Sequence, residues 1–323
     1  MAFPTLFRNF VAEMNYLLII IGAVLVLWGA DRLTDGATSL AHRMNIPQIV
    51  IGLTVVAMGT SMPEFFVSLM SAVKGTSDMA VGNIIGSNLF NTLMIVGISA
   101  LVAPMIISRS TVRKDIPFAL VASIALLAFC LDGEVSRFDA FLLFVGFLIF
   151  IAYTVRMGIK GETTLADDVK IENMNPWKAA GLIILGLLCL VGGSHIFVEG
   201  STAVARSWGV SDAVIGLTIV ALGTSLPELA TSVVAARKGR SAIAIGNVIG
   251  SNVFNILMII GITGIVLPMD IHSITTVDLI ALLGSMLLLW MFSYTKFKVE
   301  RWEGALLTTL YVGYIGWLVY NVL

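Results

Sequence analysis

The stretch VVAMGTSMPEFFVS, Val55 to Ser68, sets Gly-Thr-Ser-Met-Pro-Glu in the middle of apolar sequence. IVALGTSLPELATS, Ile219 to Ser232, does so again 164 residues later. A carboxylate in such surroundings is costly, so two near-identical occurrences point to one site assembled from both. Sliding the chain against itself by 164 positions aligns Ile51–Met105 with Ile215–Met269 without a gap, and 33 of those 55 positions are identical. The flanks keep step more weakly: Gly29 meets Gly193, Asp35 meets Glu199 and Gly36 meets Gly200. The chain reads as a duplication of one long unit, not as an array of short repeats.

Of the 323 residues, 58% are hydrophobic and only 12% charged, where a soluble domain carries about a quarter. Apolar runs long enough to cross a bilayer as helices recur from end to end. With Gly, Pro and charge as punctuation they give ten spans, near residues 14–30, 48–73, 79–103, 116–131, 138–156, 177–194, 212–236, 242–267, 276–293 and 302–321. The expectation is an all-α polytopic membrane protein. Of the 19 Lys and Arg residues, fifteen fall in the odd-numbered connections, leaving Arg8, Lys74, Arg137 and Arg206 elsewhere. The positive-inside rule then puts the odd connections in the cytoplasm and both termini outside. Five spans per unit is an odd number, so the two copies insert upside down relative to each other. The division expected is residues 1–158 as a first five-helix repeat with an N-terminal extension, 159–176 as a cytoplasmic linker, and 177–323 as the inverted second repeat. Inverted repeats with broken helices characterise transporters that bind substrate near the midplane.

A formal net charge of −1 with no basic run argues against a nucleic-acid partner. Cys130 and Cys189 lie in apolar segments without metal-ligand spacing and read as small buried hydrophobes. The first residues carry no signal-peptide pattern, so the first span is expected to anchor the chain. No nucleophile–base pair is apparent, and an enzyme is not expected.

Ala57, Thr60, Ser61 and Glu64 share a helical stripe. Pro63 has no N–H, so the carbonyl of Gly59 loses its partner, and irregular backbone at this depth must face protein or a watery cavity. Ala221, Thr224, Ser225 and Glu228, with Pro227 releasing Gly223, repeat the arrangement. The second doubled motif is GNIIGSNLFN, Gly82 to Asn91, with its copy GNVIGSNVFN, Gly246 to Asn255. Ser87 and Asn91 share one face, as do Ser251 and Asn255. Gly82/Gly86 and Gly246/Gly250 are small-xxx-small pairs, expected to let helices approach closely. Together the two halves offer oxygen ligands only, which suits hard cations rather than zinc or copper, and Ca²⁺ with its 6–8 flexible oxygens above Mg²⁺. Glu64 and Glu228 carry two charges, which one Ca²⁺ or two Na⁺ balances. A site taking either, but not both together, is a competitive antiporter site.

The paired GTSMPE and GTSLPE, each followed by GN-[IV]-IGSN-x-FN, resemble the two alpha repeats of sodium/calcium exchangers in the calcium/cation antiporter superfamily. The chain looks most like the short prokaryotic members, without cytoplasmic calcium-sensing domains. The resemblance implies ten helices and four central cation sites, with Na⁺ and Ca²⁺ as transported ions rather than cofactors. It implies that Glu64 and Glu228 hold Ca²⁺ with help from the Thr60 and Thr224 carbonyls. Ala57, Ser61 and Ser87 would serve a sodium site toward one side, Ala221, Ser225 and Ser251 one toward the other, and Asn91 and Asn255 would flank the middle site. It further implies electrogenic exchange, commonly three Na⁺ for one Ca²⁺, by alternating access through sliding of the first and sixth helices. The location implied is the cytoplasmic membrane (the inner membrane of a Gram-negative source), with no obligate protein partner. Some members carry Asp where this chain has Asn91 and Asn255, which weakens K⁺ co-transport here; Ca²⁺/H⁺ exchange is the other alternative.

Overall fold

The computed structural model describes residues 3–160, 174–210, 215–272 and 274–322. The linker expected at 159–176 falls, apart from its ends, outside them. The first half holds α1 (Phe3–Arg43), α2 (Gln48–Thr60), α3 (Met62–Val73), α4 (Ser77–Val102), α5 (Ile116–Cys130) and α6 (Arg137–Lys160). The second holds α7 (Pro176–Ser207), α8 (Thr218–Thr224), α9 (Leu226–Arg237), α10 (Ser241–Val266), α11 (Thr276–Lys296) and α12 (Arg301–Val322). Among the described residues six helices are long and apolar enough to cross a membrane, or eight if each bent pair, α2–α3 and α8–α9, is one span. Among the described residues, each sequence-predicted span lies mostly in helix.

Two boundaries moved. Hydropathy ends the first span near residue 30, just before Asp31 and Arg32, and the sixth near 194, just before His195. Both helices run on through those charges. The part of α1 from Met14 to Arg43 alone has 30 residues and is about 45 Å long at 1.5 Å per residue, so it crosses with tilt or extends past the bilayer. Glycines let α1 and α7 interlock: a Cβ on Gly29 would lie 2.7 Å from the Gly186 carbonyl, and one on Gly193 would lie 3.0 Å from that of Gly22.

The polar helices sit at the centre. In the apolar windows of α4 and α10, 78% and 83% of residues are buried, against 22–33% for α1, α6, α7 and α11. Each central helix carries a π-helical stretch, Phe90–Ile95 in α4 and Phe254–Ile260 in α10. The broken pairs have one as well, at Gly52–Val56 within α2 and at Gly216–Val220, which leads into α8. Two short antiparallel ribbons tie the halves at their ends. β1 (Met105–Ile106) pairs with β4 (Lys298–Val299), and β2 (Glu134–Val135) with β3 (Met269–Asp270).

Candidate functional site

Pro63 and Pro227 sit in the first turns of α3 and α9, where a missing N–H is harmless. The break falls two residues earlier, at Ser61 (φ −81°, ψ 5°) and Ser225 (φ −90°, ψ 7°). The bends measure 46° and 60°. At each break the glutamate lands in the first turn of the second helix, close to exposed N–H groups that favour negative charge.

The two breaks meet crosswise. Ser61 donates to Glu228 Oε1 at 3.0 Å, and Ser225 donates to Glu64 Oε1 at 2.7 Å. Both glutamates are 1% exposed, and their charges act on each other. Each keeps its Oε2 buried and without a hydrogen-bond partner. Thr60 and Ser251 border the Glu228 carboxylate, and Thr224 borders that of Glu64. The Thr60 hydroxyl reaches Asn247 Oδ1 at 3.1 Å and the Ala57 carbonyl at 3.3 Å. That of Thr224 reaches the Ala221 carbonyl at 3.3 Å.

The serines group differently from what the family resemblance implied. The Ala57–Thr60 turn packs on α10 of the other half, which carries Ser251, and the Ala221–Thr224 turn packs on α4, which carries Ser87. Ser251 therefore shares a neighbourhood with Ala57, Thr60 and Ser61, because the broken helices cross at the centre. Of the two released glycine carbonyls, that of Gly223 accepts a 2.5 Å bond from Ser194 of α7, so it turns toward α7.

Residues that sequence reasoning left out hold this frame. Asn83 donates to Ser68 Oγ (3.0 Å) and the Glu64 carbonyl (3.4 Å); Asn247 donates to Ser232 Oγ (3.0 Å) and the Glu228 carbonyl (3.3 Å). Asn91 and Asn255 are oriented by Asn252 and Asn88 through bonds of 3.1 and 2.9 Å, and both keep a buried, unpartnered Oδ1. The signal was present: all of these recur at the 164-residue offset.

The halves differ in one respect. At one end a Cβ on Gly250 would lie 2.6 Å from the Ala57 Cβ, and one on Gly246 would lie 3.1 Å from Gly52 Cα. At the mirrored end, among the described residues, nothing lies within 4 Å of a Cβ on Gly82 or Gly86. The close approach expected of both glycine pairs is thus made by one. Ala57 and Thr60 are fully buried, whereas Ala221 is exposed and Thr224 half-buried. One end of the site is sealed and the other open. At the sealed end Lys238 pairs with Asp31 and Asp35, and Arg240 holds Asp35 at 2.7 Å, tying α1 to the turn between α9 and α10.

The donor set is thus hydroxyl, carboxamide and two carboxylates; among the described residues no cluster of three or more His, Cys, Asp or Glu occurs. The family model for the sodium/calcium exchanger protein matches residues 14–156 and 178–320, one stretch per half. The chain belongs to the sodium/calcium exchanger family. That is a family of transporters, not enzymes, whose ions are substrates rather than cofactors. The sodium/calcium exchanger MaX1 of Methanosarcina acetivorans is 32% identical over 349 residues, covering 95% of this chain and 99% of that protein. The inner membrane protein YrbG of Escherichia coli is 35% identical over 314 residues, covering 93% and 94%. The solved structure of the exchanger NCX_Mj soaked with Na⁺ and Ca²⁺ superposes with a TM-score of 0.82 at 30% identity, covering 94% of this chain and 98% of that one. This exchanger-family chain is accordingly a multi-pass membrane protein.

Proposed function

We propose that the protein is a secondary active antiporter that exchanges Na⁺ for Ca²⁺ across the cell membrane by alternating access. The observation that carries this is the set of buried oxygens without partners on the helices of the two breaks and on α4 and α10 packed against them: Glu64 Oε2, Glu228 Oε2, Asn91 Oδ1, Asn255 Oδ1 and Ser251 Oγ. A buried acceptor left unpaired costs about 1–3 kcal/mol, more when charged. Five in the polar centre fit as ligands to a hard cation. Thr60, Thr224, Ser61, Ser225, Ser87, Ala57 and Ala221 complete the proposed ion-binding set. Two carboxylates balance one Ca²⁺ or two Na⁺, so any third Na⁺ makes the exchange electrogenic.

The ten-span, inverted arrangement with both termini outside is supported by contacts between the connections. β1 joins β4, and both lie in odd connections; β2 joins β3, and both lie in even ones. The Asp35–Lys238 pair links odd connections, and His272 N–H donating to Asp78 at 2.8 Å links even ones. In that orientation the open end, at Ala221, faces outward. The duplication supplies the opposite state, because Lys74 and Glu199 occupy the positions of Lys238 and Asp35 under the 164-residue slide. Here both are exposed, and they would pair when the outer end closes, as α1 and α7 slide together past the centre.

The reading is tested by Ca²⁺ flux in proteoliposomes under imposed K⁺ diffusion potentials. Internal Na⁺ should drive ⁴⁵Ca²⁺ uptake, and the rate should follow the sign of the potential. Uptake driven by a pH gradient in the absence of Na⁺ would replace Na⁺ by H⁺ as the coupling ion.

A further inference from the structure

Four buried asparagines stand at the crossing of α4 and α10, each about 1% exposed: Asn88 and Asn91 from one half, Asn252 and Asn255 from the other. Asn91 and Asn255 present carbonyl oxygens without partners. A carboxamide can turn either end inward, and an inward NH₂ would repel a cation, so something must fix the sense of each amide.

The partners fix it through two groups that can only accept. Asn88 faces the backbone carbonyl of Asn252 at 3.2 Å, so the atom there is Nδ2 and the Asn88 Oδ1 points the other way. That oxygen receives Nδ2 of Asn255 at 2.9 Å, which leaves the Asn255 Oδ1 inward. In the second chain of bonds Asn252 Nδ2 faces the Thr92 hydroxyl at 2.8 Å and the Met286 thioether at 3.5 Å. A thioether only accepts, so Asn252 Oδ1 faces away and takes Nδ2 of Asn91 at 3.1 Å. The Asn91 Oδ1 is then the end left over.

We propose that Asn88 and Asn252 are positioning residues for cation selectivity: each pins the amide of the other half's central asparagine so that only oxygen faces the ions. Neither needs to touch an ion. Because each pinning bond crosses from one half to the other, the inference also makes the two repeats set each other's ligands. It rests on the cation-site reading of the centre.

The test compares Asn88→Ala in two backgrounds by equilibrium ⁴⁵Ca²⁺ binding to the purified full-length protein, with transport kinetics alongside. In the wild-type background the freed Asn255 amide can turn, and the half-saturating Ca²⁺ concentration should rise about tenfold, with a smaller change in maximal rate. In the Asn255→Asp background the carboxylate has two equivalent oxygens and no amide to orient, and it also repels Asn88 Oδ1. Asn88→Ala should there leave affinity unchanged or improve it. A purely packing role for Asn88 predicts the same loss in both backgrounds, and that result would overturn the proposal, as would an unchanged affinity in the single variant. Asn252→Ala with and without Asn91→Asp repeats the test in the other half. Thermal melting without Ca²⁺ separates a loss of folding from a loss of orientation. If the wild type binds no Ca²⁺, the cation-site reading falls and this one with it. If it binds and only the background dependence is missing, the positioning role alone falls.

Discussion

Gly250→Ala should act on the balance between states more than on any ligand. Its new Cβ would lie 2.6 Å from the Ala57 Cβ and 2.8 Å from both the Cα and the carbonyl oxygen of Leu53. Carbon atoms pack comfortably at about 3.5–4.0 Å, so α2 and α10 must part by roughly 1 Å at the sealed end. Two of the three obstructing atoms are backbone, and no rotamer change removes them. Overpacking of this kind costs about 1–3 kcal/mol, which is roughly a 5- to 150-fold change in a conformational equilibrium. Gly86→Ala, the same change at the mirrored position, has nothing described within 4 Å and leaves this state undisturbed. In the mirrored state it would meet the clash that Gly250→Ala meets here. The assay is labelling of an Ala221→Cys reporter, with Cys130 and Cys189 replaced by Ala, by a membrane-impermeant thiol reagent. Gly250→Ala should slow labelling at the open end, while Gly86→Ala should keep or raise it and still lower turnover. Equal effects of the two substitutions on labelling would refute the claim that the halves exchange sealed and open roles.

Other consequences follow from particular contacts. Ser194→Ala strands the Gly223 carbonyl freed by Pro227 and should cost about 1–3 kcal/mol, seen as a lower thermal midpoint at saturating and zero Ca²⁺ alike. Lys238→Ala removes a partner from Asp31 and Asp35, although Arg240 still holds Asp35. Such partly exposed pairs are worth about 1 kcal/mol or less, so a thiol at Ala57→Cys should label modestly faster, by no more than several-fold. Ca²⁺ at a hundred times its dissociation constant should stabilise the wild type by about 2.7 kcal/mol, and chelation should reverse that. A Glu64→Gln variant should show little of this Ca²⁺-dependent rise in melting temperature.

Much of this was legible in the sequence because the duplication writes the important residues twice. The helix breaks followed from Pro63 and Pro227, and the polar centre from carboxylates and amides in apolar runs. What failed has physical causes. Hydropathy ends the first and sixth spans near residues 30 and 194, yet α1 and α7 continue past them, since a charge ends a hydrophobic run without ending a helix. The π-helical stretches leave no mark in composition, because they arise where the packed backbone takes up one extra residue per turn. Ser251 was grouped with Ala221 on motif order, whereas the crossing of the broken helices puts it beside Glu228 and Thr60. The orienting role of Asn88 and Asn252 is not legible in the sequence although both halves repeat them, because it appears only once the partner's atoms are in place. Near-identical halves also cannot show which end is sealed; that difference lies in how closely Gly250 and Gly86 meet their neighbours.

The central claim is that Glu64 and Glu228 together hold a cation exchanged across the membrane. Its most direct measurement is ⁴⁵Ca²⁺ uptake into proteoliposomes loaded with Na⁺ or with choline, for the wild type, Glu64→Gln and Glu228→Gln. The account predicts uptake that requires internal Na⁺ and is abolished by either substitution in folded, correctly inserted protein. Na⁺-driven uptake that survives either substitution would contradict a site built from both halves, and uptake indifferent to Na⁺ would contradict the exchange itself.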